Sequence, residues 1–190
     1  MDAHPPDETG SDERLAQAAV TQPPAFAELY RRHVSRVYRY TLSRVGNVDD
    51  AQDLTAQTFT AALRGIGSYR GEGSVAAWLT SIARNLAASS FRARRPSLPL
   101  DDANDIPATG QSPEDLAGSH LRLEAVLAAL DTLPPEHAEV IRLRFFSELS
   151  TAETAALLGK SEAAVKMTLH RALQTLRRRV AAAEQEPLQS

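Results

Sequence analysis

The segment RPSLPLDDANDIPATGQSPEDLAGS, residues 95–119, most restricts how this chain can fold. It contains four prolines and shows no apolar periodicity, so it cannot form a continuous helix or strand inside a compact core. The segment is then a flexible linker or a strand bound to a partner, and the chain should build two lobes on either side of it. The 190 residues are enough for two small cores. We place the first lobe at residues 23–95, the linker at 96–119 and the second lobe at 120–182.

Helical periodicity dominates the first lobe. Apolar spacing predicts three helices, from Phe26 to about Gly46, from Asp49 or Asp50 to Ile66, and from about Val75 to Arg94. The sequence GSYRGEGS separates the second helix from the third, and its three glycines predict a loop. Residues 1–22 hold Pro, Asp, Glu, Ser and Gly and few large apolar residues, so we expect a disordered N-terminal extension. Residues 183–190 are interpreted as a C-terminal tail.

The second lobe also has a helical pattern. HLRLEAVLAALDTL predicts a helix that Pro134 and Pro135 stop, and PEHAEVIRLRFFSEL predicts another. No stretch of either lobe alternates convincingly as a strand would. The favoured fold class is therefore all-α, with two small helical domains joined by the linker.

The stretch STAETAALLGKSEAAVKMTLHRALQTLRRR, residues 150–179, meets the steric demands of a helix-turn-helix. Ala155 is small where two helices cross, and Gly159 stands where the turn requires a positive φ. Val165 then fills the space between the helices, and Ser161 can cap the second one. The second helix would bury Val165, Leu169, Ala172, Leu173 and Leu176 on one side. The alternative is an ordinary helical hairpin with a solvated basic face.

The charge is unevenly distributed along the chain. The net charge is −3, yet residues 22–95 hold eleven basic residues against five acids, and 121–180 hold nine against seven. Residues 96–120 hold five acids and no base. Two basic blocks on either side of an acidic segment are consistent with polyanion binding, although solvated helix faces would give the same count.

Composition also bears on location and chemistry. The absence of cysteine excludes disulfides, zinc ribbons and a thiol nucleophile, and it suits a reducing cytoplasm. The apolar runs are too short to cross a bilayer and the acidic start differs from a signal peptide, so we expect a cytoplasmic protein without membrane insertion. The five histidines are scattered along the chain, at His4, His33, His120, His137 and His170. No phosphate cradle or nucleophile motif occurs either. Both observations disfavour an enzyme, a metal site or a cofactor.

Three stretches in series point to a family. FAELYRRHVSRVYRYTLSRVGNVDDAQDLTAQTF, SYRGEGSVAAWLTSIARN and LPPEHAEVIRLRFF followed by LSTAETAALLGKSEAAVKMTLHRAL resemble a bacterial sigma factor of the extracytoplasmic-function (group IV) type over residues 25–180. The resemblance implies sigma regions two and four, which bind core RNA polymerase, recognise the minus-ten and minus-thirty-five promoter elements and melt DNA. The alternative is a helix-turn-helix regulator that acts without docking on the polymerase.

The resemblance also implies partners. The helix after Asn47 would dock on the β′ coiled coil of the polymerase through Asp50, Asp53, Leu54 and Gln57, and region four would meet the β flap. An anti-sigma protein is a further possible partner. The chain departs from the family pattern at Gln52, Ala56 and Gln57, which removes charge from the dock. Alternatively, Asp49 and Asp50 serve only the helix N-terminus.

For the minus-ten element, the resemblance assigns the loop and the helix that follows it. Tyr69, Gly71 and Asn85 would hold an unstacked base, because a base edge becomes readable once it leaves the stack. Phosphates would be held by a basic group consisting of Arg84, Arg92, Arg94 and Arg95. Alternatively, Tyr69 is a core aromatic and the arginines form a solvated helix end, while Trp78 is interpreted as a packing residue.

For the minus-thirty-five element, the resemblance assigns the exposed side of the second helix of the helix-turn-helix. The expected contacts are Lys166, Met167, His170 and Arg171. Ala164, Met167 and Thr168 depart from the family pattern, so one cation and two hydroxyls are missing and the preferred promoter sequence cannot be inferred from relatives. The linker would pass near the polymerase cleft, or act only as a tether.

Overall fold

Helices supply the regular structure of this protein in the residues that the computed structural model describes, 6–93 and 125–185, with side chains described from 11 to 90 and from 125 to 179. No strand occurs in those two ranges, which confirms the all-α fold class. The N-lobe, residues 6–93, contains α1 (Pro6–Ala19), α2 (Pro23–Val45), α3 (Val48–Gly65), a short 3-10 turn (Ile66–Ser68) and α4 (Val75–Ala93).

The C-lobe, residues 125–185, contains four helices in its described part. They are α5 (125–131), α6 (Pro135–Ile141) continued by a π-helical turn (Arg142–Phe146), α7 (Thr151–Leu158) and α8 (Glu162–Gln185). Helix α8 therefore continues three residues into the predicted tail. The predicted linker, residues 96–119, lies outside the described residues.

Local residues set the boundary between α2 and α3. Gly46 has φ 76° and donates its N–H to the Leu42 carbonyl at 2.9 Å, which closes α2 in a left-handed conformation that glycine adopts without steric cost. Asn47 follows as the N-cap of α3, where its side-chain oxygen accepts the Asp50 N–H at 2.9 Å. The predicted break between these helices is thus an adjacent C-cap and N-cap.

The N-lobe core forms where α2, α3 and α4 face one another. Tyr40 is fully buried, and the aliphatic and aromatic residues around it come from all three helices. The other members from these helices include Leu29, Val37, Phe59, Ala62, Val75, Leu79 and Ala83. This bundle holds α4 and the loop before it in place.

Helix α1 contradicts the prediction that residues 1–22 are disordered. Ala16 and Ala19 are 1% and 6% exposed and belong to the N-lobe core. Asp12, which is also buried, accepts from Arg32 Nη1 at 2.9 Å and lies 2.7 Å from Nε2 of His33. The prediction failed because small alanines and one buried carboxylate make most of these contacts, with Leu15 as the one large apolar residue of α1 that packs against the core in the described residues.

The C-lobe has two apolar clusters of its own. The larger one joins α5, α6 and α8 through Leu130, Leu133, Ile141 and Ala172. The smaller one joins α6, α7 and α8 through Val140, Ala155 and Val165. Because α8 contributes to both clusters, its outer face is fixed relative to the rest of the lobe.

The two lobes also pack against each other, which the sequence did not predict. Leu143 and Leu149 of the C-lobe are fully buried, and both belong to the apolar cluster of the N-lobe. The contact runs between α2 and the π-helical turn, and between α4 and α7. In the described residues, the lobes therefore form one continuous body.

Candidate nucleic-acid and protein interfaces

The helix-turn-helix is present with the predicted geometry. Gly159 has φ 65° and ends α7, with its N–H directed at the carbonyls of Ala155 and Ala156. Ala155 is 4% exposed and Val165 is fully buried against Val140, so the small residue and the plug lie where the spacing requires. Ser161 accepts the Ala164 N–H at 3.2 Å and caps α8.

The first helix of the motif begins with a capping box. Ser150 Oγ accepts the Glu153 N–H at 3.1 Å, and Glu153 Oε2 accepts the Ser150 N–H at 2.7 Å. Two N-terminal N–H groups are thereby satisfied, which stabilises a helix of only eight residues. The same Glu153 also accepts a hydrogen bond from Ser74 of the N-lobe.

The outer side of α8 carries the predicted contacts for the minus-thirty-five element. These four residues lie in the first half of the helix and all are exposed, namely Lys166, Met167, His170 and Arg171. The exposed fraction of Met167 is 57%. Gln174 Nε2 lies 2.9 Å from His170 Nε2. The surface offers two cations, a thioether and an imidazole ring.

The loop before α4 is a compact structure. Gly71 and Gly73 have φ 74° and 85°, a region that side chains with a Cβ rarely adopt. Tyr69 donates its hydroxyl to the Gly73 carbonyl at 2.7 Å and packs on Trp78 with ring centroids 5.3 Å apart. These two aromatics, together with Ser68, Arg70 and Glu72, line a pocket of about 180 Å³.

Tyr69 is part of the N-lobe core and also lines the pocket. Its ring packs against the N-lobe core, and burial raises the pKa of its hydroxyl to about 12, with the charges of Glu13 and Asp12 acting in the same direction. The same ring still lines the open pocket. Trp78 is half-buried against the core, as expected of a packing residue, and it also lines that pocket.

Asn85 and Arg84 lie on different sides of α4. Asn85 is exposed and follows Trp78 by seven residues, which places it on the same helix face about 10 Å further along. Arg84 points to the C-lobe, where its Nε donates to Glu139 at 3.1 Å. The Arg92 side chain and all of Arg94 and Arg95 lie outside the described residues.

The structure corrects one residue of the predicted polymerase-docking surface. Leu54 is 4% exposed, because it lies on the inner side of α3, so it cannot supply an apolar surface contact. Asp53 and Gln57 are exposed on the outer side. Asp50 lies in the first turn of α3, where its carboxylate accepts from Asn47 Nδ2 at 2.7 Å. This contact is consistent with the alternative interpretation, in which Asp50 serves the helix N-terminus.

Two exposed apolar residues were missed by sequence reasoning. Leu63, almost three turns after Asp53, is 53% exposed on α3. Tyr30 is 44% exposed and packs edge-on against Phe59, with ring centroids 4.8 Å apart. Their position within the apolar stripes suggested core residues, and only the packing of α2 on α3 shows that they remain outside. We call Tyr30, Asp53, Gln57 and Leu63 the outer patch of the N-lobe.

A set of polar contacts links the lobes, and no sequence motif signalled it. Glu139 of α6 accepts from Tyr40 Oη at 3.0 Å, from Arg44 at 3.0 Å and from Arg84 at 3.1 Å. Burial raises the pKa of Tyr40 well above its usual range, and the charge of Glu139 adds to that effect. The partners are 55 to 99 residues apart along the chain.

A second cross-lobe group surrounds Glu148. Its two carboxylate oxygens accept from Arg36 at 3.1 Å and from Arg39 at 2.6 Å. Nearby, the buried Arg142 donates from Nε to the Ser43 carbonyl at 2.8 Å, and burial lowers the pKa of its guanidinium. We call the contacts of Glu139, Glu148 and Glu153 with the N-lobe the acidic latch.

The described residues contain no group of three His, Asp or Glu side chains able to hold a metal ion. None of the helices among them is both long and apolar enough to cross a membrane.

Comparison with known proteins follows the same division into lobes. The model for Sigma-70 region 2 matches residues 29–96, and the model for Sigma-70 region 4 matches residues 123–176. These matches and the structure define a helical protein with one region-two lobe and one helix-turn-helix lobe of region four.

Individual relatives identify the group. The ECF RNA polymerase sigma factor BldN of Streptomyces coelicolor is 41% identical over 172 residues, which are 87% of this chain and 64% of BldN. The chain thus spans less than two thirds of the length of that relative. RNA polymerase sigma factor YlaC of Bacillus subtilis is 31% identical over 163 residues, 84% of this chain and 94% of YlaC. The chain belongs to the extracytoplasmic-function family of RNA polymerase sigma factors.

A solved structure extends the comparison to three dimensions. CnrH, in complex with the cytosolic domain of CnrY, matches 90% of this chain and 97% of its own with a TM-score of 0.70 and 28% sequence identity. The match includes most of both lobes, since neither lobe alone accounts for 90% of the chain.

Proposed function

We propose that this chain binds core RNA polymerase in the cytoplasm and directs promoter-specific initiation of transcription as a non-enzymatic factor. One observation carries the proposal: a single chain presents a helix-turn-helix with an exposed cationic face and a glycine-bearing loop with an exposed asparagine, on lobes that match sigma regions four and two. Two reading surfaces on one chain suit two separated promoter elements.

The C-lobe is proposed to read the minus-thirty-five element through the first half of α8. Lys166 suits phosphate contacts, and Arg171 can donate two hydrogen bonds to a guanine edge. Met167 offers an apolar surface for a thymine methyl group, and the ring nitrogens of His170 can hydrogen-bond to a base edge. The exposure of all four side chains supports this assignment.

The N-lobe is proposed to read and open the minus-ten element. The pocket beside Tyr69 combines an aromatic wall with loop backbone, which suits an unstacked base. Gly71 allows close approach of the backbone, and Asn85 supplies an amide on the same side of α4 as Trp78. Arg84 is proposed to hold phosphate together with Arg92, Arg94 and Arg95, whose side chains lie outside the described residues.

The outer patch of the N-lobe is proposed to dock on the β′ coiled coil of the polymerase. Asp53 and Gln57 supply polar contacts, and Leu63 and Tyr30 supply the apolar area that Leu54 cannot. A mixed patch of this kind, with an exposed aromatic, is typical of protein interfaces. The C-lobe is proposed to contact the β flap.

An anti-sigma protein is a further proposed partner. The CnrH structure supports it, because CnrH is bound there to the cytosolic domain of CnrY. A regulator that binds promoters without polymerase is the second candidate for the function of this chain. It is disfavoured, since it leaves the region-two lobe without a role.

Association with core polymerase tests the proposal directly. The purified chain is mixed with core enzyme and separated by gel filtration, and we expect the chain to elute with the polymerase. Asp53→Lys should abolish that co-elution, because it places a cation in the outer patch. Gln17→Lys, which also adds a lysine but at an exposed position of α1, is the control and should leave co-elution intact. A wild-type chain that never co-elutes with core enzyme would overturn the proposal.

A further inference from the structure

Helix α1 lies behind the loop that is proposed to hold the unstacked base. It contacts both the 3-10 turn before that loop and α4. Its buried Ala16 and Ala19 belong to the same apolar cluster as Ile66, the first residue of the 3-10 turn. Tyr69 follows the turn directly and donates its N–H to the Ile66 carbonyl at 3.1 Å. The backbone that positions the Tyr69 ring is therefore packed against α1.

Electrostatics place the acidic half of α1 near the Tyr69 hydroxyl. Burial raises the pKa of that hydroxyl, and the charges of Glu13 and Asp12 add to the effect. Because such an effect declines with distance, both carboxylates lie near the ring. The hydroxyl itself donates to the Gly73 carbonyl at 2.7 Å and so closes the loop. Tyr69 thus links α1 to the pocket for the base.

Asp12 is the polar anchor of α1. One of its carboxylate oxygens accepts from Arg32 Nη1 at 2.9 Å, and the other lies 2.7 Å from His33 Nε2. The side chains of Asp12 and His33 are 11% and 5% exposed, so their contact is shielded from water. Removal of the carboxylate would leave a buried ring nitrogen without its partner, which costs more than the loss of a surface ion pair.

Helix α1 depends on such contacts for its stability. It has 14 residues and includes Gly10, and isolated helices of that length are marginally stable in water. Helices α2, α3 and α4, by contrast, bury Tyr40, Phe59 and Leu79 among themselves. Loss of the Asp12 contacts should therefore loosen α1 and leave the bundle of the other three helices folded.

We propose that Asp12 is a positioning residue for base capture at the minus-ten element: it holds α1 against α2, and α1 fixes the 3-10 turn that precedes Tyr69. The role in base capture rests on the proposed function, whereas the coupling of α1 to the Tyr69 pocket does not. Helix α1 acts here without contacting DNA. A pocket that is formed before the base arrives holds that base more tightly, because the loop need not be ordered on binding.

Fluorescence of Trp78 tests the coupling in the isolated full-length chain. Trp78 is the single tryptophan, and the centroid of its ring lies 5.3 Å from that of Tyr69. Asp12→Ala should make Trp78 more accessible to quenching by acrylamide, while circular dichroism shows that the helices remain. Asp12→Asn keeps an acceptor oxygen and should restore quenching close to that of the wild type. Unchanged quenching in Asp12→Ala would overturn the positioning role.

Two further variants separate loosening of α1 from a general loss of stability. Arg32→Gln lies at an exposed position, removes one of the two partners of Asp12 and should raise the quenching less than Asp12→Ala does. Leu130→Ala removes buried apolar volume from the C-lobe cluster and should leave the quenching of the folded chain unchanged. An equal rise in Leu130→Ala would show that lost stability, rather than α1, controls the pocket.

Permanganate reactivity of the minus-ten thymines tests base capture in the complex with core polymerase. If the pocket is formed in about a third of the Asp12→Ala molecules, base capture should weaken roughly threefold. Co-elution with core enzyme and protection of the upstream element should match the wild type, because the outer patch and α8 are unchanged. Glu28→Gln is the matched control, since it removes the α2 carboxylate that also binds Arg32 and should leave reactivity unaltered.

The combined results distinguish this role from the proposed function. More accessible Trp78 with wild-type permanganate reactivity would refute the role of Asp12 in base capture. A parallel loss of reactivity, co-elution and upstream protection in Asp12→Ala would indicate unfolding and would refute it as well. More accessible Trp78 in Asp12→Ala, together with a wild-type chain that never joins core polymerase, would contradict the proposed function alone.

Discussion

The two proposed DNA-reading surfaces differ in how they are built. The C-lobe surface depends on one helix whose inner face is buried and whose outer side chains are exposed in the closed molecule. The N-lobe surface combines a loop, a helix and a basic edge, and the C-lobe already binds part of it through Ser74 and Arg84. The C-lobe surface is therefore exposed to DNA in the structure as it stands. The N-lobe surface is partly covered, because the C-lobe contacts two of its residues.

Leu143→Ala should give the largest effect and tests whether the lobes are one cooperative unit. Leu143 lies in the C-lobe sequence but is fully buried in the N-lobe cluster, so truncation should cost about 2–5 kcal/mol of unfolding free energy. Trp78, the single tryptophan, lies in the N-lobe, and its fluorescence should show a lower denaturation midpoint.

Leu130→Ala is the control for that experiment. Leu130 is equally buried, but it belongs to the cluster of α5, α6 and α8 alone. In one cooperative unit it should lower the Trp78 midpoint and the helical circular dichroism midpoint by the same amount. A Trp78 midpoint unaffected by Leu143→Ala would show that the lobes unfold independently.

Arg171→Ala should weaken recognition at the C-lobe surface. Loss of a bidentate hydrogen bond to guanine costs about 1–3 kcal/mol of binding free energy. Protection of the upstream promoter element in the footprint of the polymerase complex should therefore decrease. Arg177→Ala, an exposed arginine six residues later on the same helix, should have a smaller effect. Equal footprints for the wild type and Arg171→Ala would remove this residue from the reading surface.

Asn85→Ala should affect DNA opening and leave duplex binding nearly unchanged. Loss of one hydrogen-bonding contact to an unstacked base is worth about 1 kcal/mol, or several-fold in open-complex formation. Permanganate reactivity of the melted thymines measures that effect. Ser89→Ala, one turn further along α4, is the control. Unaltered reactivity in Asn85→Ala would exclude a role in holding the base.

Acidification should cause the smallest change, through His33 beneath α1. Burial lowers the pKa of His33 below its ordinary value near 6.5, despite the opposing charge of Asp12. The unfolded chain therefore binds a proton first as pH falls through about 6.5. Stability is lost from there down to the lowered pKa, at no more than about 1.4 kcal/mol per pH unit. Denaturation midpoints between pH about 8 and about 5.5 measure this, and His33→Gln should flatten the slope.

The sequence predicted those features that depend on neighbouring residues. The helix-turn-helix followed from Ala155, Gly159 and Val165, whose spacing fixes a local geometry. The predicted bounds of α3 differ from Val48–Gly65 by one or two residues, because Gly46 and Asn47 end one helix and begin the next.

Features that depend on distant residues could not be predicted. Leu54 was assigned to the surface because its position in a motif does not say which side of α3 packs inward. Helix α1 was missed because its stability comes from buried alanines and from Asp12 meeting His33 twenty-one residues later. The acidic latch pairs Glu148 with Arg36, 112 residues apart, and no periodicity contains that information.

Transcription reconstituted from purified parts tests the central claim most directly. The full chain and core polymerase are incubated with a pool of promoter fragments, and run-off transcripts are sequenced. We predict transcripts from a shared pair of promoter elements when both proteins are present, and from neither protein alone. Specific promoter binding by the chain alone, with no transcript and no association when core polymerase is added, would contradict the account.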